Sequence, residues 1–374
     1  MNKRITYLFA LLLLFSLLVG CAREETNNKP DPNDTAVENP VNPSENEEIG
    51  EEDRSFNLPV KFDNKGDHEI IGFFDDETIV YLTHYRDYSM VQTYSLINGE
   101  NKELHTASEI IGQVILNEQL SNLLVISYPT SYEAKFTFIN RLGEVVHERK
   151  YEAFDFEVKW NPYNENEILV TSFFEDWTFN TEVINIKENT TIAINTTQPF
   201  MFWVGSHQLA YIDYMEDVWS ITGKLIVQTL NEETKKTILE DVYYVDTFKN
   251  QIFAITKEDA TIELADYQML NSNFEVISKV EVSQLSSYAD WYIPNYESLG
   301  ETKILTYKPY ETGNLDEYTG GFELILIDKD EVEVVMEFTE PLPLLSSPNG
   351  KYTLVGYDYE KLVNLKDKTI QDLF

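Results

Sequence analysis

A single cysteine, Cys21, serves a chain of 374 residues, so no disulfide can close within it and no set of thiolates can cage a metal or cluster. Histidine is almost as scarce. His68, His84, His105, His147 and His207 stand singly along the chain rather than at metal-ligand spacing. Basic residues are few as well: 28 lysines and arginines face 65 acids, for a net charge of −37 and a pI near 4.3. Recognition of DNA or RNA rests on clustered Lys and Arg, and so does adhesion to anionic lipid, so this balance argues against both. Catalytic signatures are missing too. The chain has no Gly-x-Ser-x-Gly elbow, no His-Glu-x-x-His helix, no P-loop and no dinucleotide-binding glycine pattern. Gly205-Ser206-His207 sets a serine beside a histidine, but neighbours along a strand or turn need not face each other, and a triad requires geometry.

What is present begins at the N-terminus. Lys3 and Arg4 precede an apolar run from Ile5 to Leu18, and Leu18-Val19-Gly20-Cys21 closes it. The run is shorter than the roughly 18 to 20 apolar residues that cross a bilayer. This ending resembles a bacterial lipobox. The resemblance implies that residues 1–20 are a lipoprotein signal peptide and that Cys21 carries a diacylglyceryl group at the mature N-terminus. From Ala22 to Ser55 the chain turns to Glu, Asp, Asn and Pro with almost no large apolar side chain, a composition that cannot offset its ordering entropy by burial. Residues 21–55 therefore read as the lipidated cysteine and an acidic tether. The signal carries +2 and the tether −8, which leaves −31 of the total on residues 56–374.

Beyond Phe56, short runs rich in Val, Ile, Leu, Tyr and Phe alternate with polar turns, and no long helical period appears. The strongest runs are Thr78 to Thr83, Leu123 to Ser127, Ile168 to Ser172, Gln208 to Ile212, Gln251 to Ile255, Lys303 to Tyr307 and Tyr352 to Tyr357. They recur at roughly 40 to 50 residues, the length of one four-stranded propeller blade. The fold class read from this is all-β, a β-propeller over residues 56–374 with six to seven four-stranded blades, seven by direct count. Asn57 to Phe62 is a further strand-like run placed to pair with the last blade and help close the ring. A β-sandwich or two smaller β domains would also bury strands, but neither accounts for the sustained long period.

Lipobox, acidic tether and divergent blade-like repeats together resemble the YqgU-like lipoproteins of Gram-positive bacteria, a group assigned six blades. The resemblance implies extracytoplasmic attachment to the cell membrane and contributes no catalytic residue. Ser347-Pro348-Asn349-Gly350-Lys351 is similar to the Ser-Pro-Asp-Gly turn of TolB-like propeller repeats.

If each strong strand is the second of its blade, the connection after it reaches one common face in every blade. These connections combine aromatic rings with acids. The candidate binding residues are Tyr85, Tyr88, Tyr132, Asp176, Trp177, Glu216, Asp217, Trp219, Tyr310, Tyr318 and Tyr359, with Trp291 from an inter-blade connection. Aromatic rings in loops stack on sugars, peptide groups or cations and are favoured at interaction centres. The acidic pairs Asp75-Asp76, Glu216-Asp217 and Asp316-Glu317 leave weak divalent-cation binding open, and no other cofactor is implied. The function expected is a membrane-tethered, monomeric binding or scaffolding propeller for a protein or an envelope glycan. A carbohydrate-active enzyme using paired carboxylates, and a factor for envelope assembly, are the alternatives.

Overall fold

The computed structural model describes residues 56–374 except 64, 215–219, 231, 233, 258–263 and 288–289, and except the side chains of 287 and 290. Every regular element among the described residues is a strand. Blade 1 consists of Asp67–Asp75, Thr78–His84, Ser89–Ser95 and Asn101–Ala107, paired antiparallel in chain order. The same four-strand meander repeats over 110–152, 155–194, 202–242, 242–283, 296–338 and 344–372, so the ring has seven blades.

Blades 4 and 5 share one strand, Lys235–Phe248, whose first part pairs with Gly223–Thr229 and whose second part pairs with Gln251–Thr256. The change of partner falls at Asp241 and Val242. Asp241 has φ 53°, a left-handed conformation that Asp tolerates better than most residues. The outer strand of one blade thereby becomes the inner strand of the next without an intervening loop.

Side-chain alternation explains why the second strands are almost continuously apolar. Successive residues of a strand point to opposite faces, and here each face belongs to a different seam. Ile79 and Tyr81 enter the seam between blades 7 and 1, whereas Val80 and Leu82 enter the seam between blades 1 and 2. Leu123 and Val125 face blade 1, while Leu124 and Ile126 face blade 3. Seven hydrophobic clusters result, one for each of the seven seams. The fourth strands, with only one neighbour in the sheet, are largely exposed, as in the pattern of Val145–Glu152 and Thr369–Asp372.

Residues 57–62 do not form a strand, yet they fill the closing seam. The Val60 amide donates to the Leu373 carbonyl at 2.6 Å, the Asn57 amide to the Leu96 carbonyl at 2.6 Å, and the Phe62 ring lies 4.9 Å from Tyr81 and 5.5 Å from Phe374. Closure therefore rests mainly on side-chain packing, with single backbone bonds in place of a continuous ladder.

Candidate functional site: an aromatic rim

The antiparallel meander divides the connections between two rims. Links between second and third strands, and links between blades, share one rim; turns between first and second strands and between third and fourth strands share the other. The second rim is tied together by its own contacts. Gln119 Nε2 donates to the Pro162 carbonyl at 2.6 Å, Asn161 Nδ2 to the Ser206 carbonyl at 3.2 Å, and the Asn349 amide to Asp76 Oδ1 at 2.8 Å. Turns from separated blades also meet there: the Lys249 amide donates to Glu118 Oε1 at 3.0 Å and the Asn250 amide to Tyr163 Oη at 3.2 Å.

The exposed aromatic side chains among the described residues are Tyr88, Tyr132, Phe154, Trp177, Phe200, Tyr214, Tyr310, Tyr357 and the C-terminal Phe374. Apart from Phe374, all lie in connections of the first rim. Trp177 is the most open, at 94 % exposure. Its turn is built to hold it there. The Trp177 amide donates to the Phe174 carbonyl at 3.0 Å, the Phe174 amide to the Thr178 carbonyl at 3.0 Å, and Asp176 Oδ1 accepts from the Thr178 hydroxyl at 2.6 Å and amide at 3.1 Å. These bonds from Thr178 hold the Asp176 carboxyl below its ordinary range. They also stabilise Trp177 at φ 66°, a backbone region that is costly for a bulky residue.

Other candidates are presented or engaged to different degrees. Tyr132 is exposed and its hydroxyl donates to Glu175 of the next blade, a bond that raises the phenol's pKa. Tyr88 stacks on Tyr85 with centroids 4.6 Å apart, and Tyr85 donates to Asp63 Oδ2 at 2.8 Å; burial and that bond push the Tyr85 phenol up to about 12. Tyr318 pins its own loop, accepting from the Tyr310 amide at 3.0 Å and donating to the Gly321 carbonyl at 2.8 Å. A Cβ on Gly320 would stand 2.5 Å from that hydroxyl, so the close approach requires glycine.

Trp291 is only 9 % exposed, lying 4.6 Å from the Tyr243 ring and beneath Lys257 Nζ at 4.0 Å. Tyr359 is half-buried in the seam between blades 7 and 1, its phenol pushed up by burial and by Glu297 and Glu69. Glu216, Asp217 and Trp219, and Cys21 at the N-terminus, lie outside the described residues.

Sequence reasoning passed over Phe154 and Phe200. Both lie in blade-to-blade connections, which share the rim with the loops that were singled out. The same topology that drew attention to Trp291 would have found them.

Acids gather near the ring axis on the first strands. Tyr296 donates to Asp246 Oδ2 at 2.6 Å, which leaves Tyr244 to donate to Tyr296 at 2.5 Å. Burial, reinforced by Asp246, pushes the neighbouring Glu297 carboxyl up to about 8, although the Ser346 amide donates to it at 3.2 Å. Among the described residues no group of three or more His, Cys, Asp or Glu is arranged to hold a metal. Asp75 and Asp76 are engaged in structure, Asp75 with Arg141 at 3.0 Å and Asp76 with the Asn349 amide.

Seven radial blades, closed by apolar seams and carrying an aromatic rim, define a β-propeller. The chain belongs to the YqgU-like 6-bladed beta propeller domain family, whose model matches residues 95–356. That span includes blades 2 to 6 entire and only parts of blades 1 and 7, so the ring formed here contains one blade more than the family description counts. The chain is similar to "Uncharacterized lipoprotein YqgU" of Bacillus subtilis (strain 168), with 24 % identity over 302 residues, 81 % of this chain and 83 % of that protein. It is also similar to the crystal structure of uncharacterized protein lmo1340 from Listeria monocytogenes EGD-e, with TM-score 0.78 and 18 % identity over 84 % of this chain and 97 % of that one. A prolyl endopeptidase structure matches with TM-score 0.51 and 10 % identity, covering 80 % of this chain and 48 % of that chain, and this likeness concerns the fold alone.

Proposed function

We propose that this chain is a membrane-anchored lipoprotein whose propeller works outside the cytoplasm as a binding or scaffolding module, recognising a protein or envelope ligand through its aromatic and acidic rim. The anchor is Cys21, joined to the propeller by residues 21–55. The lipobox-like Leu18 to Cys21 supports this, as does similarity to a relative named as a lipoprotein. Two acyl chains give stable attachment where one gives only marginal binding. The observation that carries the binding reading is the gathering of exposed aromatic side chains in one rim, where rings and carboxylates lie together. Rings beneath loops are held there by packing, whereas a ring as open as Trp177 has little packing to lose.

The test is affinity capture from intact envelopes with the parent chain and with variants carrying alanine at Tyr88, Tyr132, Trp177 and Tyr310. Variants that keep the parent melting temperature are expected to lose about 1 to 3 kcal/mol of binding for central rings and less at the edge. Undiminished capture by a folded variant lacking all four rings refutes the reading.

A carbohydrate-active enzyme is the second reading, favoured by one observation: burial raises the Glu297 carboxyl to about 8, the direction a general acid needs. Release of sugar from envelope glycans, lost in Glu297→Gln, is its expected signature. Release that persists unchanged in that variant excludes this carboxyl as the acid.

A further inference from the structure

We infer that the part of the rim formed by blades 2 to 4, centred on Trp177 with Tyr132, Phe154 and Phe200 around it, is a docking patch for a lysine- or arginine-bearing segment of a protein partner. This rests on the proposed binding role of the rim and narrows it to one arc and one chemistry.

Three observations select the arc. Its four rings come from successive connections and are strongly exposed: Tyr132 51 %, Phe154 61 %, Phe200 59 %, with Trp177 the most open of all. Two of them are tied to one aromatic pair. Phe200 lies 5.9 Å from Phe173, Phe173 lies 6.4 Å from Phe179, and the Phe154 amide donates to the Phe173 carbonyl at 2.8 Å. The arc is also bridged between blades by the Tyr132–Glu175 hydrogen bond. A preorganised aromatic surface loses little conformational entropy on binding, which favours its use as an anchor.

Charge selects the occupant. The connecting segments 131–132, 153–154, 174–178 and 195–201 contain no Lys or Arg, while Glu175 and Asp176 lie inside them and Glu152 and Asp155 flank them. The nearest cations along the chain, Lys135 and Lys150, are already paired, with Glu148 at 2.5 Å and with Glu133 at 2.6 Å. A side chain carrying positive charge gains both from the ring faces and from the carboxylates, whereas an anionic one gains from neither.

A bilayer would also welcome exposed Trp and Phe, but the charge of the arc opposes it. The carboxylates repel anionic headgroups.

The test uses the full lipidated chain in neutral phosphatidylcholine vesicles and a fluorescent twelve-residue peptide of Lys, Arg, Gly and Ser, with its Glu-substituted counterpart as control. The cationic peptide is expected to bind, to weaken as salt screens the acids, and to lose about tenfold in affinity with Trp177→Ala. Phe154→Ala with Phe200→Ala is expected to weaken it too, while Trp177→Phe largely restores it and Leu142→Ala, in an exposed turn of the opposite rim, leaves it unchanged. Absence of binding by the parent, equal binding of the acidic peptide, or unchanged affinity in folded arc variants overturns the inference. Loss in Tyr310→Ala with the arc variants intact overturns the arc as the site and spares the broader reading. If all rim variants match the parent in both peptide binding and envelope capture, both fall. Quenching of Trp177 by vesicles of phosphatidylglycerol, without peptide, overturns the choice of a protein occupant.

Discussion

Replacing Glu297 by glutamine tests whether the axial carboxyl is neutral in the folded protein. Glu297 belongs to the first strand of blade 6, and burial together with Asp246 raises its pKa from 4.5 to about 8. Folding thus keeps a proton that the unfolded chain releases. The stabilisation is fully present below the unfolded value of 4.5 and fades as pH rises through about 8, because the native state binds more protons than the unfolded state throughout that window. One proton per molecule sets a ceiling of about 1.4 kcal/mol per pH unit.

The amide introduced by Glu297→Gln keeps the neutral shape and still offers an oxygen to the Ser346 amide, but cannot ionise. Urea unfolding of parent and variant at several pH values between 5 and 8 isolates the effect as a difference, since other titrating groups are common to both. The variant is expected to gain steadily on the parent as pH rises, with the two converging near the acid end. Parallel stability curves across the window, or a parent that gains on the variant with rising pH, would refute the assignment of a buried neutral acid.

The anchor and the tether yield two further outcomes. Cys21→Ser is expected to abolish incorporation of radiolabelled lipid and leave precursor or released protein, since the chain has no other thiol; labelling equal to the parent removes the lipoprotein reading. Deletion of Ala22 to Glu52 is expected to leave the thermal midpoint nearly unchanged, because a segment with almost no large apolar residues buries little surface; a large fall in the midpoint shows instead that those residues dock on the propeller.

The strands were legible because burial on both faces leaves a continuous apolar signature. The run from Thr78 to Thr83 supplies Ile79 and Tyr81 to one seam and Val80 and Leu82 to another, so neither face tolerates a polar residue except where Thr can find a partner. The same logic recurs from Leu123 to Ile126, which is why seven strong runs marked seven blades. The weaker outer strands blurred their own boundaries. Nothing in the residues of Lys235–Phe248 announces that one strand will serve two blades, because the change of partner falls inside it, at Asp241 and Val242, where Asp241 is left-handed. Closure was also only half legible. The apolar residues of 57–62 signalled burial, but whether they would enter a ladder or a packed seam depends on the last blade, at the far end of the chain.

The rim exposes a sharper limit of sequence reading. Trp177 and Trp291 each sit in an aromatic, acidic connection, and their local sequences, Glu175-Asp176-Trp177 and Asp290-Trp291-Tyr292, look alike in chemistry. Their environments diverge because of residues distant in sequence. Trp291 is covered by Tyr243, which exchanges two hydrogen bonds with its backbone, one given at 2.8 Å and one received at 2.9 Å. Trp177, at 94 % exposure, has no such cover, and its short-range bonds instead lift the ring outward. A loop's composition therefore identifies residues able to bind, while the neighbouring blade decides which of them are left open to do so. Phe200 follows the same rule from the other side: its connection, Asn195 to Met201, carries no acid, yet the meander delivers it to the rim beside Trp177, as it does Phe154. The consequence for binding is specific. Energy is expected to concentrate where adjacent blades leave rings uncovered together, in the arc of blades 2 to 4, and not to be shared evenly around the propeller.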